Sequence, residues 1–146
     1  MNQQDVLPAD YQPTEDEEYM NERQLAFFRQ RLLDWRDSLL EESERTLEAL
    51  RDDRIREVGD EVDRASREAD QALDLRTRDR YRKLLRKIDA ALSRIDDGSY
   101  GWCEETGEPI GLKRLLARPI ATLSVEAQER QEARERQGTA HLRQLD

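Results

Sequence analysis

The residues best suited to chemistry in this sequence are a run of cations between positions 76 and 87. Four of them recur at the helical spacings i, i+4, i+7 and i+11: Arg76, Arg80, Lys83 and Lys87. Three further arginines join this basic stripe: Arg78, Arg82 and Arg86. A single acid, Asp79, interrupts it. Because guanidinium and ammonium groups form strong hydrogen bonds with carboxylates and phosphates, the stripe predicts an anionic partner. The alternative is a solvated face of a coiled coil.

An acidic cluster precedes the stripe. The cluster comprises Asp52, Asp53, Glu57, Asp60, Glu61 and Asp63. These acids outnumber the two neighbouring arginines, Arg54 and Arg56. Such carboxylates suit contact with basic loops or with a magnesium centre. The alternative is that Asp60 only caps a helix and Asp63 only occupies its first turn, where a carboxylate interacts favourably with the helix dipole.

No catalytic constellation is recognisable. Cys103 is the single cysteine, which excludes an intrachain disulfide and a four-thiolate metal site within one chain. The neighbouring carboxylates of Glu104 and Glu105 are expected to raise the pKa of this thiol, which argues against a redox sensor. His141, the single histidine, has no accompanying Ser or Cys motif. We expect a protein that is not an enzyme, in a reducing cytoplasm.

The composition limits the remaining classes. With 146 residues, of which 36% are hydrophobic and 40% charged, the chain can build one modest core. The longest apolar run, residues 25–28, is far shorter than the roughly 20 residues of a membrane span. The net charge of −9 argues against non-specific binding to a polyanion, so any effect on nucleic acid is expected to pass through a protein partner.

Two long stretches without Pro or Gly must position these groups. The first begins at Asn21, which forms a capping-box pattern with Gln24, and continues to Arg56. The second begins after Gly59 and ends at Asp97. Apolar residues recur in the first at spacings of three and four: Leu25, Phe28, Leu32, Trp35 and Leu39. They form two seams in the second: Val62, Ala65, Ala69 and Ala72, then Tyr81, Leu84, Ile88, Ala91 and Ile95.

The two stretches have similar lengths, so the second can return along the first. The pattern therefore predicts an antiparallel coiled-coil hairpin over residues 21–97, with its tip near 52–62. Residues 1–20 contain no Lys or Arg and few apolar residues, and we expect a flexible acidic arm, docked at most through Tyr11 or Tyr19. Glycines and prolines then mark residues 98–123 as a compact loop module. A C-terminal helix over 124–138 and a tail over 139–146 complete the prediction.

Several short stretches now identify the chain by resemblance. Four segments resemble the zinc-finger end of the DksA/TraR family: residues 97–103 (DGSYGWC), 107–110 (GEPI), 114–115 (RL) and 117–119 (ARP). Residues 18–22, 60–65 and 74–80 resemble the same family, and together the matches cover about residues 17–137. The implied fold class is mainly α: a long antiparallel helical hairpin, a small zinc-finger-like globular module and a C-terminal helix.

The resemblance also implies a function. Proteins of this family bind bacterial RNA polymerase from its secondary channel, and with the alarmone ppGpp they repress ribosomal RNA promoters and activate some biosynthetic ones. It places tip residues near the polymerase active centre: Asp60, Asp63 and Ala65. It assigns Arg76 and Arg80 to the polymerase rim. It assigns ppGpp contacts to Leu84, Lys87, Arg114 and Arg118, whereas a further family lysine is replaced by Gln128.

The resemblance places the family's four cysteines at positions where this sequence has one thiol: Cys103, Thr106, Ser124 and Ala127. Because zinc takes four N or S donors, we expect no zinc here and a module held by packing instead. Eight apolar residues are available for that packing: Trp102, Ile110, Leu112, Leu115, Leu116, Ile120, Leu123 and Val125.

Two other functions remain open at this stage. The first alternative is a coiled-coil structural adaptor that pairs with itself or with another protein, and the second is a channel binder that resembles transcript-cleavage factors. The polar distal half of the hairpin favours a monomer, whereas an adaptor should self-associate. Probing arms of cleavage factors usually begin near the N-terminus and precede a β-rich domain, an order that fits this sequence less well.

Overall fold

The computed structural model describes residues 7–57 and 64–144. In the described chain, the helices are α1 (Glu22–Glu57), α2 (Arg64–Asp97), α3 (Leu112–Ala117) and α4 (Val125–Gln144). The chain divides into two compact units. We call Arg31–Ala90 the paired-helix unit, and Met1–Gln30 together with Ala91–Asp146 the module unit. The expected mainly α fold, with a helical hairpin and a C-terminal helix, is confirmed.

The N-terminus of α1 is built as the capping pattern predicts. The backbone N–H of Gln24 donates to Asn21 Oδ1 at 2.8 Å, and Gln24 Oε1 accepts from the backbone N–H of Met20 at 2.8 Å. Gln24 is fully buried, and its Nε2 donates to the carbonyl of Thr14 at 3.2 Å. A buried amide is stable only when its donors and acceptors are paired, so these bonds hold residues before α1 against its first turn.

Contacts between α1 and α2 define the paired-helix unit. Arg36 forms an ion pair with Asp89 at 2.8 Å, and Arg54 forms one with Asp74. From the first ion pair to the second, the residue number rises on α1 and falls on α2, so the two helices are antiparallel. Members of the predicted apolar seams are buried between them: Leu32, Leu39, Tyr81 and Ile88.

The module unit has a core of its own. Its buried residues come from α1, α2 and the segment that follows: Phe28, Ala91, Ile95, Tyr100, Cys103, Ile110, Leu112, Leu115, Ala121 and Ala127. The rings of Phe28 and Tyr100 lie 5.6 Å apart, and the Tyr100 hydroxyl donates to the carbonyl of Pro119 at 2.7 Å. Two residues expected to pack here are exposed instead, Trp102 to 39% and Val125 to 46%.

Two elements differ from the sequence-based expectation. Residues 112–117 form a short helix inside the segment expected to be a loop module. The C-terminal helix continues past the predicted end at Gly138 to Gln144. An exposed glycine costs a helix only about 1 kcal/mol relative to alanine, and helix-forming residues surround Gly138 on both sides. None of the helices in the described ranges is long and apolar enough to cross a membrane.

Candidate functional site

The exposed side of α2 in the paired-helix unit carries the predicted basic stripe. Only one acid compensates it within the described part of the chain: Asp79 lies 3.3 Å from Lys83 and 4.0 Å from Arg82. The other cations of the stripe are exposed and form no ion pair with a described residue: Arg76, Arg78, Arg80, Arg86 and Lys87. A surface of unpaired cations attracts an anionic partner because no internal carboxylate competes for its donors.

Exposed leucines accompany these cations. Leu75 is 69% exposed and Leu73 is 41% exposed, while Thr77 between the cations is buried. Leu75 lies three, seven and eleven residues before Arg78, Arg82 and Arg86, so these four share one face of the helix. Leu75 was not predicted as a surface residue of interest because it belongs to neither apolar seam; the signal that could have revealed it is an apolar residue among cations.

Arg80 has an environment unlike that of its neighbours. Its guanidinium carbon lies 5.2 Å from the centroid of the Tyr81 ring. Tyr81 is buried, and its hydroxyl lies 3.1 Å from Thr46 Oγ1 on α1. Arg80 is thus a charged group that rests on a buried aromatic ring, an arrangement that periodicity did not predict.

The predicted tip residues Asp60 and Asp63 lie outside the described residues. Ala65 is described: it is exposed in the first turn of α2. At the nearest cross-helix ion pair, Arg54 pairs with Oδ2 of Asp74, whereas Oδ1 of Asp74 is buried and has no hydrogen-bond partner among the described residues.

The four residues expected to contact ppGpp belong to two units. Leu84 is half-buried and Lys87 is exposed on α2 in the paired-helix unit. Arg114 and Arg118 lie in the module unit, within α3 and at its C-terminal cap. Arg114 Nε donates to the carbonyl of Leu123 at 2.8 Å, whereas Arg118 is exposed. Lys87 in the paired-helix unit and Arg118 in the module unit therefore each offer an exposed cation.

The buried thiol of Cys103 has an unexpected electrostatic environment. Burial raises the pKa of this thiol, but hydrogen bonds from the Thr106 side chain and from the backbone of Ser124, Thr106 and Glu105 outweigh burial and lower the pKa from 9.0 to about 6. The expectation that neighbouring carboxylates raise this pKa is therefore wrong. Glu105 instead pairs with Arg130 at 3.4 Å and with Arg134 at 3.2 Å.

The positions at which the resemblance places four cysteines are hydrogen-bonded to one another. Thr106 and Ser124 both contact Cys103, and Ser124 Oγ accepts from the backbone N–H of Ala127 at 3.2 Å. Cys103, Ser124 and Ala127 are buried. Within the described ranges, no group of three or more His, Cys, Asp or Glu residues is arranged to hold a metal ion.

Two family models match the sequence. The model of the DnaK suppressor protein DksA, N-terminal domain, matches residues 24–95, and the model of the prokaryotic dksA/traR C4-type zinc finger matches residues 98–133. The RNA polymerase-binding transcription factor DksA of Caulobacter vibrioides is 61% identical over 131 residues, which cover 90% of this chain and 92% of that protein. The chain belongs to the DksA family.

Further DksA family members extend this result. The RNA polymerase-binding transcription factor DksA of Escherichia coli strain K12 is 45% identical over 127 residues, which cover 87% of this chain and 83% of that protein. The solved structure of transcription factor DksA2 from Pseudomonas aeruginosa matches with a TM-score of 0.68 and 51% identity, covering 81% of this chain and 90% of that one. These relatives are named as transcription factors and not as enzymes.

The DksA family comparison corrects the expectation about zinc. That expectation is contradicted because the segment 98–133 matches a C4-type zinc-finger model, which points to possible zinc binding. The residues at the four expected ligand positions nevertheless offer one thiol, two hydroxyls and a methyl group. This set alone does not supply the four N or S donors of a tetrahedral structural site.

Proposed function

We propose that this protein is a bacterial transcription regulator that binds RNA polymerase through the secondary channel. The observation that carries this proposal is the exposed side of α2, where five cations have no ion-pair partner among the described residues. We take RNA polymerase as the partner because the relatives are named RNA polymerase-binding transcription factors. We place the protein in the cytoplasm as a monomer that reaches DNA only through the polymerase.

The rim contact is assigned to Arg76 and Arg80. Both are exposed, and neither forms an ion pair with a described residue. Guanidinium groups bind carboxylates through two parallel hydrogen bonds, so each arginine suits an acidic side chain on the polymerase.

The tip is assigned to the segment that joins α1 and α2. Asp60 and Asp63 would bring carboxylates to the polymerase active centre, and Ala65 would follow them in the first turn of α2. The Arg54–Asp74 ion pair supports this assignment because it ties the two helices together next to that segment.

The ppGpp contact is assigned to Leu84, Lys87, Arg114 and Arg118 in the polymerase complex. Lys87 and Arg118 are exposed cations, which suit phosphate oxygens. Gln128, at the position of a family lysine, donates through Nε2 to Glu132 Oε1 at 3.1 Å and brings no positive charge. We expect ppGpp to strengthen repression of ribosomal RNA promoters and activation of some biosynthetic promoters.

Multi-round transcription from a ribosomal RNA promoter by the purified cognate polymerase tests the proposal. Titration with this protein should repress transcription, and ppGpp should deepen the repression. The Asp63→Asn variant should keep polymerase binding and lose the effect on transcription. A folded wild-type protein that neither binds an active polymerase nor changes transcription would overturn the proposal and favour the structural adaptor.

A matched pair of arginine variants tests the binding surface. Arg80→Ala should weaken polymerase binding about tenfold, as is typical of a central interface arginine. Arg45→Ala removes an exposed arginine from α1 of the same unit and should leave the dissociation constant nearly unchanged. Equal losses in the two variants would indicate a general effect of charge in place of a specific surface on α2.

A further inference from the structure

Tyr81 brings together two interactions that single it out on α2. Its ring is buried, and its hydroxyl lies 3.1 Å from Thr46 Oγ1 across the paired helices. The Arg80 guanidinium lies over the same ring, with its central carbon 5.2 Å from the ring centroid. The ring is therefore anchored to α1 and lies beneath a charge on the surface of α2.

The contact restrains Arg80 without occupying its hydrogen-bond donors. A guanidinium over an aromatic face is held by the ring quadrupole, while its N–H groups point outward in its own plane. An ion pair has the opposite effect, because the internal carboxylate consumes those donors. Lys83 and Arg82 illustrate that case, since both lie within 4.0 Å of Asp79.

A restrained arginine loses less conformational freedom when it binds than a freely rotating one. The planar fork of its donors matches the two oxygens of a carboxylate. A ring that fixes the plane of the fork before binding therefore lowers the entropy cost of the contact. Lysine cannot replace this arrangement because its ammonium group offers no planar fork.

We infer that Tyr81 is a positioning residue, which holds the Arg80 guanidinium in the plane required to bind a carboxylate of RNA polymerase. The inference rests on the proposed polymerase binding and adds to it the residue that prepares Arg80 for this contact. Tyr81 itself is buried, so it acts through Arg80 and not by touching the polymerase.

A double-mutant cycle with the cognate polymerase tests this role. The dissociation constant is measured for the wild type, Tyr81→Leu, Arg80→Ala and the double variant. Tyr81→Leu should weaken binding about threefold, the effect expected for losing one exposed cation–π contact. The same change in the Arg80→Ala background should have no further effect, because the ring then has no guanidinium to position.

Each other result has a distinct meaning. An equal threefold loss in both backgrounds would overturn the positioning role and indicate a purely structural effect of Tyr81. Unchanged binding of Arg80→Ala or of Tyr81→Leu would also overturn it, while polymerase binding by the wild type would still stand. Failure of the wild type to bind polymerase would overturn the proposed function itself.

Two further variants keep the test decisive if Tyr81→Leu does not fold. Tyr81→Phe keeps the ring and loses only the hydroxyl, so it should restore most of the affinity lost in Tyr81→Leu. Arg80→Lys keeps the charge but should bind nearly as weakly as Arg80→Ala. If Tyr81→Leu does not fold, tight binding by Arg80→Lys would still contradict the inference.

A measurement on the free protein gives an independent readout. The aromatic ring should shift the NMR signals of the Arg80 side-chain protons upfield. Tyr81→Phe should keep this ring-current shift, and Tyr81→Leu should abolish it. An Arg80 signal that is the same in the wild type and Tyr81→Leu would show that the guanidinium does not rest on the ring, which overturns the inference.

Discussion

The paired-helix unit and the module unit are stabilised by different kinds of interaction. The first combines apolar seams with polar pairs that join α1 to α2, such as Arg36 with Asp89. The second buries aromatic rings and uses hydrogen bonds between residues far apart in the sequence, such as Tyr19 with Gly101. Contacts that repeat along a helix can be predicted from residue spacing, whereas single long-range hydrogen bonds cannot.

The hydroxyl of Tyr19 shows how the module unit depends on one group. It donates to the carbonyl of Gly101 at 2.6 Å and accepts from the backbone N–H of Gly111 at 3.0 Å. Its ring meets Trp102 edge-on, with the centroids 5.3 Å apart. Residues before α1 thus join both ends of the segment 101–111. The expected division at residue 20 stays a prediction, although Tyr19 shows that part of the expected arm is docked.

The largest expected effect lies at the close approach of Gly101 to Met20. Gly101 has a positive φ of 91°, and a Cβ atom there would lie 2.7 Å from Met20 Cγ. Gly101→Ala should therefore destabilise the protein by about 2–4 kcal/mol, from backbone strain and overpacking together. Urea denaturation followed by circular dichroism measures this loss.

Gly138 supplies the matched control for Gly101. It lies inside α4, and a Cβ atom there would meet nothing within 4 Å. Gly138→Ala should stabilise the protein by about 0.5–1 kcal/mol, because alanine is the better helix former. If both variants changed the free energy of unfolding equally, the close contact between Met20 and Gly101 would have no energetic role.

The next effect compares one hydroxyl from each unit. Tyr19→Phe removes the acceptor of the Gly111 N–H and one of the two donors to the Gly101 carbonyl, which keeps the bond from the Ile110 N–H, and it should cost about 1–2 kcal/mol. Thr46→Val removes the bond to Tyr81 on α2 and should cost only about 0.5 kcal/mol. Chemical denaturation of both variants provides the measurement. A larger loss for Thr46→Val would reverse the proposed difference between the units.

A further difference between the units is expected in the pH dependence of stability. Since the pKa of Cys103 is lowered to about 6 in the folded protein, the thiolate stabilises the fold above the unfolded pKa of 9.0, and this contribution is lost as pH falls through about 6. The free energy of unfolding should therefore rise with pH between these values, and Cys103→Ala should flatten that rise. Thiolate absorbance that titrates near 9.0 in the folded protein would contradict the shift.

Much of the paired-helix unit was predictable because its determinants are local. The capping pattern of Asn21 with Gln24 placed the start of α1 within one residue of Glu22, where the helix begins. The exposed cations of α2 were also predictable, since their spacing places them away from buried Tyr81 and Ile88. Spacing did not predict that the Arg80 guanidinium rests on the Tyr81 ring, because the choice of side-chain rotamer depends on packing.

The module unit was predicted less completely because its contacts are not periodic. Trp102 was expected in the core and is 39% exposed, while Tyr100 is buried and bonded to Pro119. Which of two nearby aromatic residues is buried depends on the path of a turn-rich backbone. The same dependence explains Cys103, whose pKa is set by backbone hydrogen bonds and not by the glutamates beside it in sequence.

The sequence by itself determined the helical class, the antiparallel pairing and the charge of the α2 surface, because helical period and residue charge are properties of neighbouring residues. Only the tertiary structure decided how Tyr19 joins Gly101 to Gly111, how Tyr81 lies beneath Arg80, and how backbone N–H groups surround Cys103. Those features arise when chain segments that are distant in sequence, or side chains with several open rotamers, are brought into one packed arrangement.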